Sequence, residues 1–184
     1  MAFIKALIHD QTTYDQAIPM KISWTSLKVS IAGAKLSHLV QKDEIWDHGS
    51  MIEQLKTVFY KLKKAKSNGN IEDLKKYLTA ACYEKLGQEM DALERTGRTW
   101  VIKNLFIKEA AVVKVSEGKN NKPDCFTAVI KTIGIEIISD KDHVKELINY
   151  SNRIQNFSEH WTFVRIGDWW ALDGITLPRK IHRQ

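Results

Sequence analysis

The chain has 184 residues and a mass of 21.2 kDa, a size for one domain or one domain with an appendage. A hydrophobic fraction of 43% excludes wholesale disorder, and two cysteines, Cys82 and Cys125, exclude a disulfide framework. Lys+Arg 28 against Asp+Glu 22 gives a formal charge of +6, which favours nucleic acid or anionic lipid as a partner without choosing between them.

The excess of positive charge is local. Residues 51–110 carry twelve basic against eight acidic side chains, whereas residues 1–50 balance at five and five. Lys61, Lys63, Lys64, Lys66, Lys75 and Lys76 are opposed there only by Glu72 and Asp73, and Arg179, Lys180 and Arg183 make residues 178–184 a basic tail.

Residues 1–49 read as an N-terminal arm, partly ordered. The opening Met1 to Ile8 is too short and too soon interrupted for a secretory signal. No stretch approaches the roughly 18 to 20 apolar residues of a membrane-spanning helix. Residues 16–42 hold no acidic residue and carry Lys21, Lys28, Lys35 and Lys42, a composition that suits an interfacial segment. Leu27, Val29 and Ile31 alternate with Lys28 and Ser30, and that alternation predicts a half-buried strand or packed arm.

From Ser50 the periodicity becomes helical. Ser50-Met51-Ile52-Glu53 reads as a capping box. Met51, Leu55, Val58, Phe59 and Leu62 then place one apolar face on a helix over 51–66, and Gly69 suits the left-handed cap after it. Asn70 is placed to cap a short second helix with Ile71, Leu74, Tyr77 and Leu78 inward. Thr79 is placed to cap a third, with Cys82, Leu86, Met90 and Leu93 inward and Gly97 as its stop.

After Arg98 the period changes to two. Residues 100–115 and 126–138 predict a long hairpin across the Gly118–Asp124 turn, and residues 157–166 and 169–177 predict a second across Gly167-Asp168. The polar stretch 140–156 reads as an insert with a helical turn or two. Helices followed by hairpins imply an α+β fold with an antiparallel sheet. Trp169 and Trp170 cannot both point inward on a regular strand, so Trp169 is expected at the surface.

Phe157-Ser158-Glu159-His160-Trp161-Thr162-Phe163-Val164-Arg165, followed by Trp170-Ala171-Leu172-Asp173-Gly174-Ile175, resembles the terminal signature of the Tim44-like domain. Phe59 to Ala65, Asn70 to Leu78 and Tyr83 to Gly97 are similar to that family's helices, in the expected order. The resemblance implies a Tim44-like domain over 50–177: an NTF2-like cone, with three N-terminal helices packed on a curved antiparallel sheet of about four strands. It implies no catalysis and no cofactor. As partners it implies an anionic, cardiolipin-like membrane surface together with a membrane or translocation protein. The location implied is the inner face of a bacterial or mitochondrial inner membrane. A mitochondrial large-ribosomal-subunit relative adds a ribosome-associated alternative with RNA contact through the backbone.

Little in the sequence carries catalytic chemistry. The six histidines are scattered, and no H-E-x-x-H pattern, phosphate-binding glycine loop or nucleophile elbow is present, so no metal is expected. Strand alternation puts Phe157, Glu159, Trp161, Phe163 and Arg165 on one side. If that side faces the helices, Glu159 and Arg165 border one cavity, and a small-ligand site or acid–base chemistry centred on Glu159 is the third reading. No second acid–base partner is visible, and a pair with Arg165 or a lysine is the plainer expectation. Phe59, Tyr77, Trp161, Phe163 and Trp170 either line a pocket for an apolar ligand or fill the core. The six-lysine run either complements a helix dipole as a solvated face or anchors the domain to anionic lipid at roughly 1 kcal/mol per lysine.

Overall fold

A computed structural model describes residues 23–143 and 154–177. Helix α1 (Trp24–Leu39), helix α2 (His48–Asn68) and helix α3 (Ala80–Arg95) precede four strands, β1 (Arg98–Ser116), β2 (Cys125–Asp140), β3 (Gln155–Ile166) and β4 (Trp169–Thr176). The strands form one antiparallel sheet in the order β1-β2-β3-β4, with the helices against it. This is the expected α+β, NTF2-like architecture.

The segment expected as a strand is instead helix α1. Ser23 caps it by accepting the Ser26 amide at 3.1 Å, and Ala32, Leu36 and Leu39 are buried at helical spacing. Leu27 and Ile31, which suggested alternation, are 42% and 62% exposed on the opposite side. Helix α2 begins earlier than the Ser50 box implied. Asp47 is its N-cap, accepting the Ser50 amide at 2.8 Å, while Glu53 turns to Lys56 at 2.7 Å. Gly69 ends α2 at φ 75°, in the left-handed region. The expected second helix is only the 3-10 turn Glu72–Leu74, with Asn70 accepting the Glu72 amide at 2.9 Å. The three helices of the fold therefore include α1 in its place. Thr79 caps α3 as expected, through the Cys82 amide at 3.2 Å.

Curvature comes from irregular register. β1 shifts against β2 between Lys103 and Phe106, where Asn104 takes φ 48°. Gly134 of β2 crosses that bulge so closely that a Cβ there would lie 2.6 Å from the Leu105 Cα. A bulge of this kind bends and twists the strand pair, folding the sheet around α2. The expected 140–156 insert is shorter: Asp140 still belongs to β2, Lys141–His143 form a 3-10 turn and Gln155 already opens β3, while residues 144–153, the 178–184 tail and residues 1–22 lie outside the described residues.

Candidate functional site

Five aromatic residues are candidates for lining a chamber in the cone, and they fill it instead. Phe59, Trp161 and Phe163 are 0% exposed and Trp170 is 1% exposed. Phe126 stacks on Phe163 at 4.8 Å, Trp170 meets Phe126 edge-on at 5.0 Å, and Phe59 lies 5.5 Å from Trp161. The Trp170 indole donates to the Ile45 carbonyl at 3.0 Å, which pins the linker between α1 and α2 to β4. Tyr77 is buried beside them, under Trp169 at 5.6 Å. Trp169 is thus half-buried rather than exposed, because the 77–79 segment runs along the outer edge of β4.

Glu159 and Arg165 share a strand but no cavity. Arg165 reaches Asp43 at 2.5 Å, Asp124 at 3.3 Å and the Gly167 carbonyl at 2.8 Å, joining the α1–α2 linker to two hairpin ends. Those two carboxylates raise the affinity of its guanidinium for its proton. Asp43 is held below the usual carboxylate range, first by the Ile45 amide and then by Arg165. The clasp leaves Arg165 no role at a pocket.

Glu159 belongs to a buried charge cluster at the other end. The Lys63 ammonium donates to both oxygens of Glu136, at 2.8 and 2.7 Å, and to Glu159 Oε2 at 3.5 Å. The Trp161 indole donates to the same Glu159 oxygen at 3.1 Å. One cation between two carboxylates leaves a net charge of −1 among side chains that are 6%, 10% and 17% exposed. Beside it a cleft of about 450 Å³ opens between α2, α3 and β4, with Leu62, Cys82, Leu86 and Ile175 in its lining together with Lys66, Lys85, Glu89, Glu159 and Asp173. Burial pushes the Cys82 thiol above its ordinary pKa, so it is no ready nucleophile. Glu136 escaped the sequence reading because its partner is 73 positions away.

The same geometry divides the lysine run. Lys63 is consumed by the glutamates, and Lys66 lies 4.3 Å above the Trp100 ring and 3.5 Å from Glu89. Neither is available as a surface contact. Lys61, Lys64, Lys75 and Lys76 are exposed and make no salt bridge among the described residues. Lys61 and Lys76 converge on the Tyr77 ring, at 5.2 and 5.1 Å, so α2 and the turn after it present one patch. Outside the sequence candidates, α1 adds a second surface: Leu27 and Ile31 exposed on a helix without an acidic residue. The acid-free composition of 16–42 was its signal.

The family profile described as the Tim44-like domain matches residues 32–176. The chain belongs to the Tim44-like domain family. No curated protein matches its sequence. Among solved structures it is similar to the crystal structure of the intermembrane space region of chloroplast protein ARC6, at 13% identity and a TM-score of 0.46, over 68% of this chain and 94% of that one. In this Tim44-like domain the terminal signature is a folding device: Trp161, Phe163, Trp170 and Leu172 make the core, and Arg165 makes the clasp. Among its described residues no group of three or more His, Cys, Asp or Glu side chains is placed to hold a metal. No described helix is long and apolar enough to cross a membrane.

Proposed function

We propose that this Tim44-like domain is a non-catalytic adaptor that docks peripherally on an anionic, cardiolipin-like membrane surface and serves protein translocation or membrane-protein biogenesis at the inner face of a bacterial or mitochondrial inner membrane. The observation that carries the reading is the surviving patch: Lys61, Lys64, Lys75 and Lys76 are exposed and make no salt bridge among the described residues, and Lys61 and Lys76 meet over the Tyr77 ring. At roughly 1 kcal/mol per lysine near an anionic surface, four provide a worthwhile peripheral anchor. Helix α1 supports the same reading, since Leu27 and Ile31 offer apolar side chains beside Lys28 on a segment free of repulsive carboxylates.

The filled core supports a non-catalytic reading, because Trp161 and Trp170 pack the inside of the cone, and Glu159, at the wall of the outer cleft, accepts from Lys63 and Trp161 through Oε2. The test is co-sedimentation with cardiolipin-containing and neutral liposomes at low salt. Recovery with the anionic vesicles alone supports the reading. Equal recovery with both overturns it, and a steep inverse salt dependence of RNA binding without lipid binding would favour the ribosome-associated alternative.

A further inference from the structure

β4 is one edge of the sheet, and among the described residues its outer side is only partly covered. Leu172 sends both of its peptide groups outward, its N–H to the Tyr77 carbonyl at 2.9 Å and its C=O to the Thr79 amide at 2.9 Å, as a parallel bridge to Leu78. At Thr79 the chain leaves this line to begin α3. Partner pairs alternate along an antiparallel ladder between those that bond each other and those that face away. Leu172 opposite Phe163 faces away, Gly174 opposite Thr162 follows, and Ile175 opposite Trp161 faces away again. Among the described residues the outward peptide groups of Ile175 have no backbone partner.

That open stretch of edge is one wall of the cleft of about 450 Å³. Gly174 has open space beside it. Leu62, Leu86 and Ile175 form an apolar lining, and Glu159 stands at the inner end with the net charge of −1 it shares with Glu136 and Lys63. Lys66 and Lys85 line the same cleft with Glu89 and Asp173, so what an acyl chain leaves unsatisfied there is the open peptide edge at Ile175.

We infer that the cleft receives an extended peptide segment of a partner protein, which continues the Leu78 line along β4 at Ile175 and places an apolar side chain and, two positions on, a lysine or arginine between α3 and Glu159. The backbone contacts supply affinity and the two side-chain positions supply selectivity, as in other strand additions to a sheet edge. The inference goes beyond membrane docking and does not depend on it.

The test is a selection of random peptides displayed on phage against the full chain, followed by amide hydrogen exchange with the synthesised winner bound. The expected winners alternate β-branched and apolar residues and carry a basic residue. They slow exchange of the Ile175 amide at least about tenfold, and N-methylation of the peptide backbone weakens binding about tenfold. Ile175→Pro removes the outward N–H together with the apolar Ile175 side chain and weakens binding at least as much, so the N-methylated peptide isolates the backbone bond, while Glu159→Gln relaxes the preference for lysine or arginine. Liposome recovery of both variants stays at the wild-type level. No winner that competes for the cleft, helical winners, winners that leave the Ile175 amide unprotected, or a lauroyl chain bound there in place of peptide would each overturn the inference.

Discussion

Replacing Lys63 by methionine keeps the length of the side chain and removes its charge, leaving Glu136 and Glu159 facing each other in a nearly dry site. In the wild type the ammonium lies 2.7 Å from one carboxylate and 3.5 Å from the other, and the three side chains are at most 17% exposed. Breaking a buried pair by deleting one partner costs about 3 to 5 kcal/mol, because the remaining charge is left uncompensated. In a domain of this size that lowers the melting temperature by about 6 to 20 °C. Urea denaturation at neutral pH, read by fluorescence of the buried tryptophans, measures the loss. The decisive comparison is Lys63→Met with Glu136→Gln and Glu159→Gln added. The charge-free triple variant should recover most of the stability, since a neutral cluster lacks the repulsion. A Lys63→Met variant as stable as wild type, or one that the two glutamines fail to rescue, would refute the assignment of Lys63 to the interior.

Other expectations follow from single contacts. Thr79→Ala removes the α3 cap and the hydroxyl bond to Asp173, and should cost about 1 kcal/mol of unfolding free energy, read from urea denaturation. Gly134→Val puts a Cβ against the backbone of Leu105. It should reduce soluble yield or melting temperature far more than Gly33→Val, where nothing lies within 4 Å. Asp43 and Asp47 have folded-state pKa values lowered by the Ile45 and Ser50 amides. Their contribution is therefore present above the unfolded value of about 3.9 and is lost as pH falls through the lower folded values. Urea midpoints should decline below about pH 4, and less steeply in Asp43→Asn. Cys82, pushed up by burial, should react with iodoacetamide more slowly than a free cysteine until denaturant is added.

Much of the fold was legible because its signals are local. α2 and α3 carry a clear apolar period, Gly69 and Thr79 punctuate them, and each hairpin has its own turn residues. α1 was not, because a hydrophobic segment that also exposes Leu27 and Ile31 shows alternation over three positions as readily as a helical stripe. The site was less legible than the fold. Strand alternation correctly put Glu159, Trp161 and Phe163 on the helix side, but pairing is a tertiary fact. Lys63 and Lys64 look alike in sequence. The first reaches from α2 to Glu136 on β2 and is buried, and the second stays in solvent. Arg165 reaches Asp43 over 122 positions, a clasp that no local pattern announces.

Membrane docking is tested most directly by sedimentation of the wild type and a Lys61→Glu, Lys64→Glu, Lys75→Glu, Lys76→Glu variant with cardiolipin-containing liposomes at low salt. Four lysines at roughly 1 kcal/mol each correspond to about a thousandfold in partition. The variant should stay in the supernatant with its melting temperature unchanged, and wild-type binding should fade as salt shortens the Debye length from about 10 Å at 0.1 M to about 3 Å at 1 M. A folded variant that sediments as well as the wild type would contradict docking through this patch.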